Sequence, residues 1–284
     1  MIAIRNLLPN GSLWLAGLIS IIVVSTAAKR AGAQDLEVET AVCGSLREPF
    51  MFWLWRTMAG SSDPERVAQV RDLERLQFRT RDGIVLGGYK LAAADPKGFL
   101  LIALGNAMLA DRLVADVQVF REAELDTYIF DYRGYGMSEG KSRLAAIVDD
   151  YGEIIRHLHG QGYQQQFLYG ISMGGIILLN AVSRGAPYTR MVVDGSPSRI
   201  SWLGCPERYD PVLQLPEESG RIMIISGARD RVVKPAEMEE MLQVAEQRGA
   251  RVIRDAEFAH PYQDASAVIH RRRQQGVISF LLQE

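Results

Sequence analysis

Apolar segments of strand length and helix length alternate along this chain from residue 72 to its end. Residues 98–104 (GFLLIAL) form a continuous apolar run, which is typical of a strand that is buried on both faces of a sheet. Other strands are predicted at 75–80, 84–91, 126–131, 166–171, 190–194, 221–226 and 250–256. Helices are predicted at 108–123, 145–159, 174–183, 235–248 and from 265 onward. This order predicts an α/β fold with a mostly parallel eight-stranded sheet and helices on both faces.

The first two predicted strands differ from the rest, because only the turn signal Asp82-Gly83 separates them. Such a dipeptide between two strand-like segments is typical of a β-hairpin. We therefore expect an antiparallel edge on the otherwise parallel sheet.

Composition sets limits on the class of protein. The 284 residues are 48% hydrophobic and 23% charged, which are ordinary globular values that allow one sizeable core. A formal net charge of −2 gives no reason to expect a nucleic-acid partner. No motif calls for a cofactor or a metal, and the sequence does not reveal an oligomeric state.

Residues 1–33 have the features of a targeting segment. Arg5 precedes the uncharged apolar stretch 13–28, and small residues at 31–33 (AGA) suit signal-peptidase cleavage near Gln34. We expect a secretory signal peptide and an exported protein, either periplasmic or secreted. The alternative is an uncleaved membrane anchor formed by residues 13–28, although a bilayer span needs about 20 residues.

Residues 34–71 form an N-terminal arm ahead of the regular pattern. Its segment 49–58 (PFMFWLWRTM) is aromatic and apolar, and we expect it to pack on the folded domain. The alternative is a hydrophobic patch that faces a membrane surface or the substrate. The two cysteines, Cys43 and Cys205, lie far apart in sequence, and their pairing stays open.

Ser172 lies in Gly170-Ile171-Ser172-Met173-Gly174, between a segment of strand length and one of helix length. A serine at a strained strand-to-helix turn, with glycines where a Cβ would collide, is a nucleophile elbow. The five-residue pattern alone is weak, and a glycine-rich connection with an incidental serine is the alternative.

A serine nucleophile needs a base, and His260 is the best candidate among four histidines. It follows the strand predicted at 250–256, at the carboxyl edge where open α/β sheets place their sites. We expect His157, His159 and His270 to be surface residues on helices.

The base needs an acid to orient it, and Asp230 lies just after the strand predicted at 221–226. Asp194 ends the preceding strand and is the alternative. Asp131 also ends a strand, but it precedes Ser172 in the chain.

An acyl-transfer site also needs two donors for the oxyanion. The backbone N–H of Met173, at the start of the helix after Ser172, is one candidate. The N–H of Asn106, in the loop after residues 98–104, is the other, with Ala107 as the alternative. Asn106 can also serve as an ordinary helix N-cap.

Five motifs occur in the order typical of α/β-hydrolases, which residues 72–284 resemble. They are LGNA at 104–107, DYRGYGMSEG at 131–140, the serine elbow, G-x-x-D-x-x-V at 227–233 and the loop histidine His260. The subgroup it most resembles comprises small serine hydrolases of the serine aminopeptidase-like and acyl-protein-thioesterase-like kind. That subgroup usually carries histidine where this chain has Leu104, so the oxyanion loop must be held in another way.

The resemblance also bears on access to the site. Related enzymes with deep pockets insert a large cap after the sixth strand, whereas only the lid segment 196–220 follows it here. We expect a minimal cap and an open site that accepts an accessible acyl or peptidyl substrate.

Together these features predict a serine hydrolase that cleaves a carboxylic ester or thioester through an acyl-Ser172 intermediate. Ser172, Asp230 and His260 would be catalytic, and Asn106 and Met173 would form the oxyanion hole. A peptidase or amidase would use the same residues and is the alternative. A non-catalytic binding module on the same fold is a further alternative.

Overall fold

A computed structural model describes residues 40–283 of the chain. The predicted signal peptide or anchor, residues 1–33, lies outside the described residues. Within residues 40–283, no helix is long and apolar enough to cross a membrane.

Eight strands form one sheet, in the order β1-β2-β4-β3-β5-β6-β7-β8. The strands are β1 (Leu73–Arg79), β2 (Val85–Leu91), β3 (Gly98–Ala103), β4 (Leu125–Phe130), β5 (Gln166–Ile171), β6 (Arg190–Asp194), β7 (Ile222–Gly227) and β8 (Arg251–Asp255). Strands β1, β2 and β4 pair in antiparallel fashion, and all other pairs are parallel. The predicted mostly parallel sheet with a hairpin at its edge is therefore confirmed.

The centre of the sheet is the core of the molecule. Every residue of β3, β4 and β5 is buried, because helices cover both faces. Ile102 of β3 lies opposite Ile129 of β4 on one side and Tyr169 of β5 on the other.

Seven α-helices accompany the strands in the described part of the chain. They are α1 (Arg47–Ala59), α2 (Ala110–Leu113), α3 (Gln118–Glu122), α4 (Leu144–His159), α5 (Met173–Ser183), α6 (Pro235–Gln247) and α7 (Ala267–Leu281). In α4 the residues Ile147, Tyr151, Ile154 and Leu158 are buried, as expected of one apolar stripe on an amphipathic helix.

The single helix predicted at 108–123 is wrong, because the structure has two short helices, α2 and α3, in that segment. Between them the bond from Asp116 N to Leu113 O closes a tighter, i to i−3 turn. The tighter turn redirects the chain, and both Val114 and Val117 remain fully buried against the core.

Helix α1, which belongs to the N-terminal arm, lies at the carboxyl edge of the sheet. A disulfide joins Cys43 to Cys205 in the segment after β6, and Arg47 donates a hydrogen bond to the carbonyl of Leu203 at 2.8 Å. The buried carboxylate of Glu48 accepts the N–H of Leu144, at the start of α4, at 2.8 Å. The helix therefore runs from the segment after β6 to the loops after β4.

Candidate active site

Ser172 occupies a strained turn between β5 and α5. Its φ of +52° lies in the left-handed region, which side chains other than glycine rarely adopt. A Cβ on Gly170 would lie 2.6 Å from the Cα of Gly175, and a Cβ on Gly174 would lie 2.0 Å from the carbonyl oxygen of Ala103. The two glycines of the motif are thus required, because the elbow packs directly on its own helix and on the end of β3.

Hydrogen bonds from β6 and the loop after it hold the backbone of Ser172. Its N–H donates to the carbonyl of Asp194 at 2.8 Å, and the hydroxyl of Ser196 donates to the Ser172 carbonyl at 2.6 Å. These bonds satisfy the backbone of the elbow without using the Ser172 hydroxyl.

Asp230 and His260 meet at the same edge of the sheet. The Oδ2 atom of Asp230 lies 2.8 Å from Nδ1 of His260, and both side chains are buried. The other oxygen of Asp230 accepts the N–H groups of Val232 and Val233 at 2.8 and 2.9 Å. The carboxylate is held rigidly, and its bond to Nδ1 leaves Nε2 of His260 as the ring nitrogen that can exchange a proton.

Asp194, the alternative acid, has other partners. It accepts a hydrogen bond from Arg273 at 2.6 Å and one from the Tyr169 hydroxyl at 2.9 Å. Burial raises the pKa of Asp194, and the positive charge of Arg273 opposes this. The structure therefore brings Asp230, and not Asp194, into hydrogen-bond contact with His260.

The loop that carries His260 is held by Arg273 of α7. Arg273 donates hydrogen bonds to the carbonyl of Ala259 at 2.6 Å and to Asp264 at 2.8 and 2.9 Å. Asp264 in turn accepts the N–H of Ala259 at 2.9 Å. These bonds fix the loop on both sides of His260.

Sequence reasoning missed Arg273, because the basic run at 270–273 suggested a surface. The arginine is buried, and it shares a helical stripe with Ile269, Val277 and Phe280, a spacing that could have revealed it. The surface prediction for His270 is also wrong. Its side chain is about one-fifth exposed (20%), and its ring lies 4.9 Å from that of Tyr262.

The loop after β3 abuts the elbow, as the oxyanion prediction requires. A Cβ on Gly174 would lie 2.9 Å from the carbonyl oxygen of Leu104, and one on Gly105 would lie 3.5 Å from Ile171. In this loop Ala107 has a φ of +57°, and the Oδ1 atom of Asn106 is buried without a hydrogen-bond partner in the described structure.

The motif after β4 holds this loop where the related subgroup uses histidine. The hydroxyl of Tyr132 donates to the Leu104 carbonyl at 2.5 Å, and Asp131 accepts the N–H of Ala110 at 2.8 Å. The second oxygen of Asp131 accepts the N–H of Met137 at 2.9 Å. Tyr132 and Asp131 thus tie the loop after β3 to the end of β4.

Ser172 is 6% exposed and His260 is 8% exposed, so both groups are largely buried. A cleft beside His260 is lined by Arg229, Arg231, Ala259, Gln263 and Ala265. Among residues 40–283, no group of three or more His, Cys, Asp or Glu side chains could hold a metal ion.

Comparison with known proteins agrees with this architecture. Residues 94–212 match a family model described as serine aminopeptidase, S33. The uncharacterized protein YfhR of Escherichia coli K12 is 23% identical over 236 residues, which cover 74% of this chain and 80% of that protein.

Solved structures show the same fold at low sequence identity. The esterase Pf2001 of Pyrococcus furiosus superposes with a TM-score of 0.62 at 15% identity, covering 78% of this chain and 95% of that one. XC6422 of Xanthomonas campestris, described as an α/β serine hydrolase without lid, superposes with a TM-score of 0.58 at 18% identity. The matched region covers 75% of this chain and 97% of that one. The chain therefore has the α/β-hydrolase fold, as the resemblance predicted, and residues 94–212 resemble the serine aminopeptidase family.

Proposed function

We propose that this protein is a serine hydrolase that cleaves a carboxylic ester or thioester with Ser172, His260 and Asp230. The observation that carries the proposal is the Asp230–His260 hydrogen bond of 2.8 Å at the sheet edge where the strained Ser172 lies. A residue forced into the left-handed region must be stabilised by its surroundings, and such strain is concentrated at functional sites.

The reaction follows from the roles of the three residues. The Ser172 oxygen attacks the acyl carbon while its proton passes to Nε2 of His260, and the imidazolium is stabilised by Asp230. The bond from the acyl carbon to the leaving oxygen or sulfur then breaks, and the leaving group takes the proton from His260. A water molecule releases the acyl group from Ser172 by the same steps, with His260 again as the base.

The oxyanion would be held by the backbone N–H groups of Met173 and Asn106. Met173 is the first residue of α5, where helix N–H groups are free and the helix dipole favours negative charge. The loop containing Asn106 is tied to β4 by Tyr132 and Asp131, which keeps a donor there in a fixed position.

Labelling with a fluorophosphonate probe tests the nucleophile directly. We expect wild type to be labelled and Ser172→Ala not to be labelled. Ser226→Ala, which removes another buried serine hydroxyl, is the matched control and should label like wild type. Equal labelling of wild type and Ser172→Ala, or no labelling of a correctly folded wild type, would contradict the proposal. The second result would favour a non-catalytic binding module.

A peptidase or amidase is the second candidate, and the serine aminopeptidase family model favours it. The same residues would serve, so substrates rather than mutations separate the two functions. Short and long acyl esters, acyl thioesters and aminoacyl amides should be compared by kcat/KM, with Ser172→Ala as the blank for each. Preference for aminoacyl amides would replace the esterase proposal and leave the roles of the three residues intact.

We also propose that the hydrolase domain functions outside the reducing cytoplasm. The Cys43–Cys205 disulfide supports this, because disulfides persist in oxidising compartments. The N-terminal residue of the mature protein distinguishes the two modes of export. A start near Gln34 indicates signal cleavage, and retained Met1 indicates an anchor.

A further inference from the structure

Helix α1 presents apolar side chains on two opposite faces. On the inner face Phe52 and Ala59 are buried, and Trp55 packs against Phe52 with ring centroids 5.3 Å apart. The outer stripe consists of Leu46, Phe50, Trp53, Leu54 and Met58, each between 41% and 85% exposed. These positions are spaced i, i+4, i+7, i+8 and i+12, so they share one side of the helix. The inner face explains how α1 packs on the domain, but nothing in the described structure covers the outer stripe.

The stripe is rigidly attached to the domain. The Cys43–Cys205 disulfide precedes the helix, Arg47 is bonded to Leu203 at 2.8 Å, and the buried Glu48 is bonded to Leu144. Trp202, next to Leu203 in the chain, is 69% exposed. An apolar helix face held outward by a disulfide and a buried carboxylate is a formed surface and not a frayed end.

The exposed charges of α1 are all positive. Arg47 and Arg56 are exposed. The one acidic residue, Glu48, is fully buried, and its carboxylate accepts hydrogen bonds from two backbone N–H groups. A second copy docked through this helix would offer its positive charges no exposed acid of α1 in return. An anionic lipid surface matches both properties, because it accepts aromatic and aliphatic side chains and attracts arginine.

We propose that α1 is a membrane-docking helix whose outer stripe inserts into the headgroup region of bilayers containing anionic phospholipid. Trp, Phe, Leu and Met on one face with arginine beside them is the composition that interfacial helices use. Because α1 lies across the carboxyl edge of the sheet, docking would turn the edge that carries Ser172 and His260 toward the lipid. The proposal concerns binding and does not depend on the proposed chemistry.

Vesicle sedimentation of the full chain tests the proposal. The vesicles contain phosphatidylcholine with or without phosphatidylglycerol. Phe50→Ser/Trp53→Ser removes the centre of the stripe, and Val268→Ser, at a residue 68% exposed on α7, is the matched control. We expect wild type and Val268→Ser to bind the anionic vesicles alike, and the double variant to bind about tenfold more weakly. Unchanged binding of the correctly folded double variant overturns the proposal, since residues 13–28 or another surface would then suffice.

Quenching of tryptophan fluorescence by brominated phospholipid gives an independent readout. Trp53→Phe should lose part of the quenching seen in wild type even if residues 13–28 also hold the membrane, because Trp53 itself would enter the lipid. Equal quenching of both proteins overturns the proposal. A wild-type dimer that the double variant converts to a monomer, with vesicle binding unchanged, would assign the stripe to self-association and also overturn it.

Discussion

Arg273 donates a hydrogen bond to Asp194 at 2.6 Å, which joins the last helix of the chain to the end of β6. The same guanidinium holds Asp264 and the carbonyl of Ala259, next to His260. One buried side chain therefore links the His260 loop to the strand whose last carbonyl holds the backbone of Ser172.

Replacement of Arg273 by lysine should lower kcat with little effect on KM. An ammonium group has no planar fork, so it cannot bond Asp194, Asp264 and Ala259 together, and the His260 loop becomes less well positioned. Each buried hydrogen bond that the ammonium group cannot replace also costs about 1–3 kcal/mol of stability. Hydrolysis kinetics and urea unfolding measure the two effects. Arg271→Lys, at an exposed neighbour, should change neither. A wild-type kcat in Arg273→Lys would exclude the positioning role.

The choice of acid can be tested by two asparagine variants. Asp230→Asn should reduce kcat by about 10³–10⁴-fold, because the amide no longer holds His260 in the correct tautomer. Asp194→Asn should reduce stability more than kcat, since it removes the partner of Arg273. Circular dichroism checks folding before the kinetics are compared. A larger loss of kcat in Asp194→Asn than in Asp230→Asn would instead assign the orienting role to Asp194.

Tyr132→Phe should reduce kcat by removing the hydrogen bond to the Leu104 carbonyl. Loss of one buried hydrogen bond costs about 1–3 kcal/mol if the carbonyl stays unpaired, and the oxyanion loop becomes more mobile. Tyr151→Phe is the matched control, because this buried tyrosine instead donates to the Phe130 carbonyl at 3.2 Å. We expect similar losses of stability from both variants but a clear loss of kcat only from Tyr132→Phe. Equal kcat values in Tyr132→Phe and Tyr151→Phe would show that Tyr132 does not support the proposed oxyanion loop.

Removal of the disulfide should destabilise the domain by about 2–5 kcal/mol, since the bridge closes a loop of 162 residues. The double variant Cys43→Ser/Cys205→Ser measures this loss by urea unfolding. Treatment of wild type with a reductant should lower its stability to that of the variant. Titration of denatured, unreduced wild type with a thiol reagent should find no free thiol, and two free thiols would contradict the bridge.

The acid stability of the protein should depend on Asp264. Burial alone would raise the pKa of Asp264, but hydrogen bonds and the charge of Arg273 outweigh this, so the pKa lies below its ordinary value of 3.8. The unfolded chain then binds the proton more readily than the native state. The contribution of Asp264 is therefore present above the ordinary pKa and is lost as the pH falls through the lower native value.

Urea unfolding of wild type and Asp264→Asn from about pH 5 to about pH 3 measures this contribution. The variant should be less stable at the upper end and should lose stability less steeply on acidification. Asp95→Asn, in an exposed loop, is the control and should follow wild type. If the free energy of unfolding falls equally steeply with pH in wild type and Asp264→Asn, Asp264 does not contribute to the acid stability.

Much of the fold could be predicted from the sequence, because the patterns that specify it are local. Continuous apolar runs specified buried strands, and the Asp82-Gly83 turn specified the hairpin edge. The strand β5, the turn at Ser172 and the helix α5 follow from apolar spacing and two glycines within about a dozen residues. The prediction of one helix at 108–123 was wrong. The break between α2 and α3 depends on the burial of Val114 and Val117 against the core, and not on local helix propensity.

The sequence by itself determined the sheet, the elbow at Ser172 and the carboxyl-edge positions of His260 and Asp230, because strand alternation places these residues at one edge. Only the tertiary structure decided which acid meets His260, that Cys43 pairs with Cys205, that α1 crosses that edge, and that Arg273 is buried. Each of these depends on side chains that are distant in sequence and are brought together by packing. Local periodicity contains no information about such pairings, and the energies that select them arise only when the core has formed.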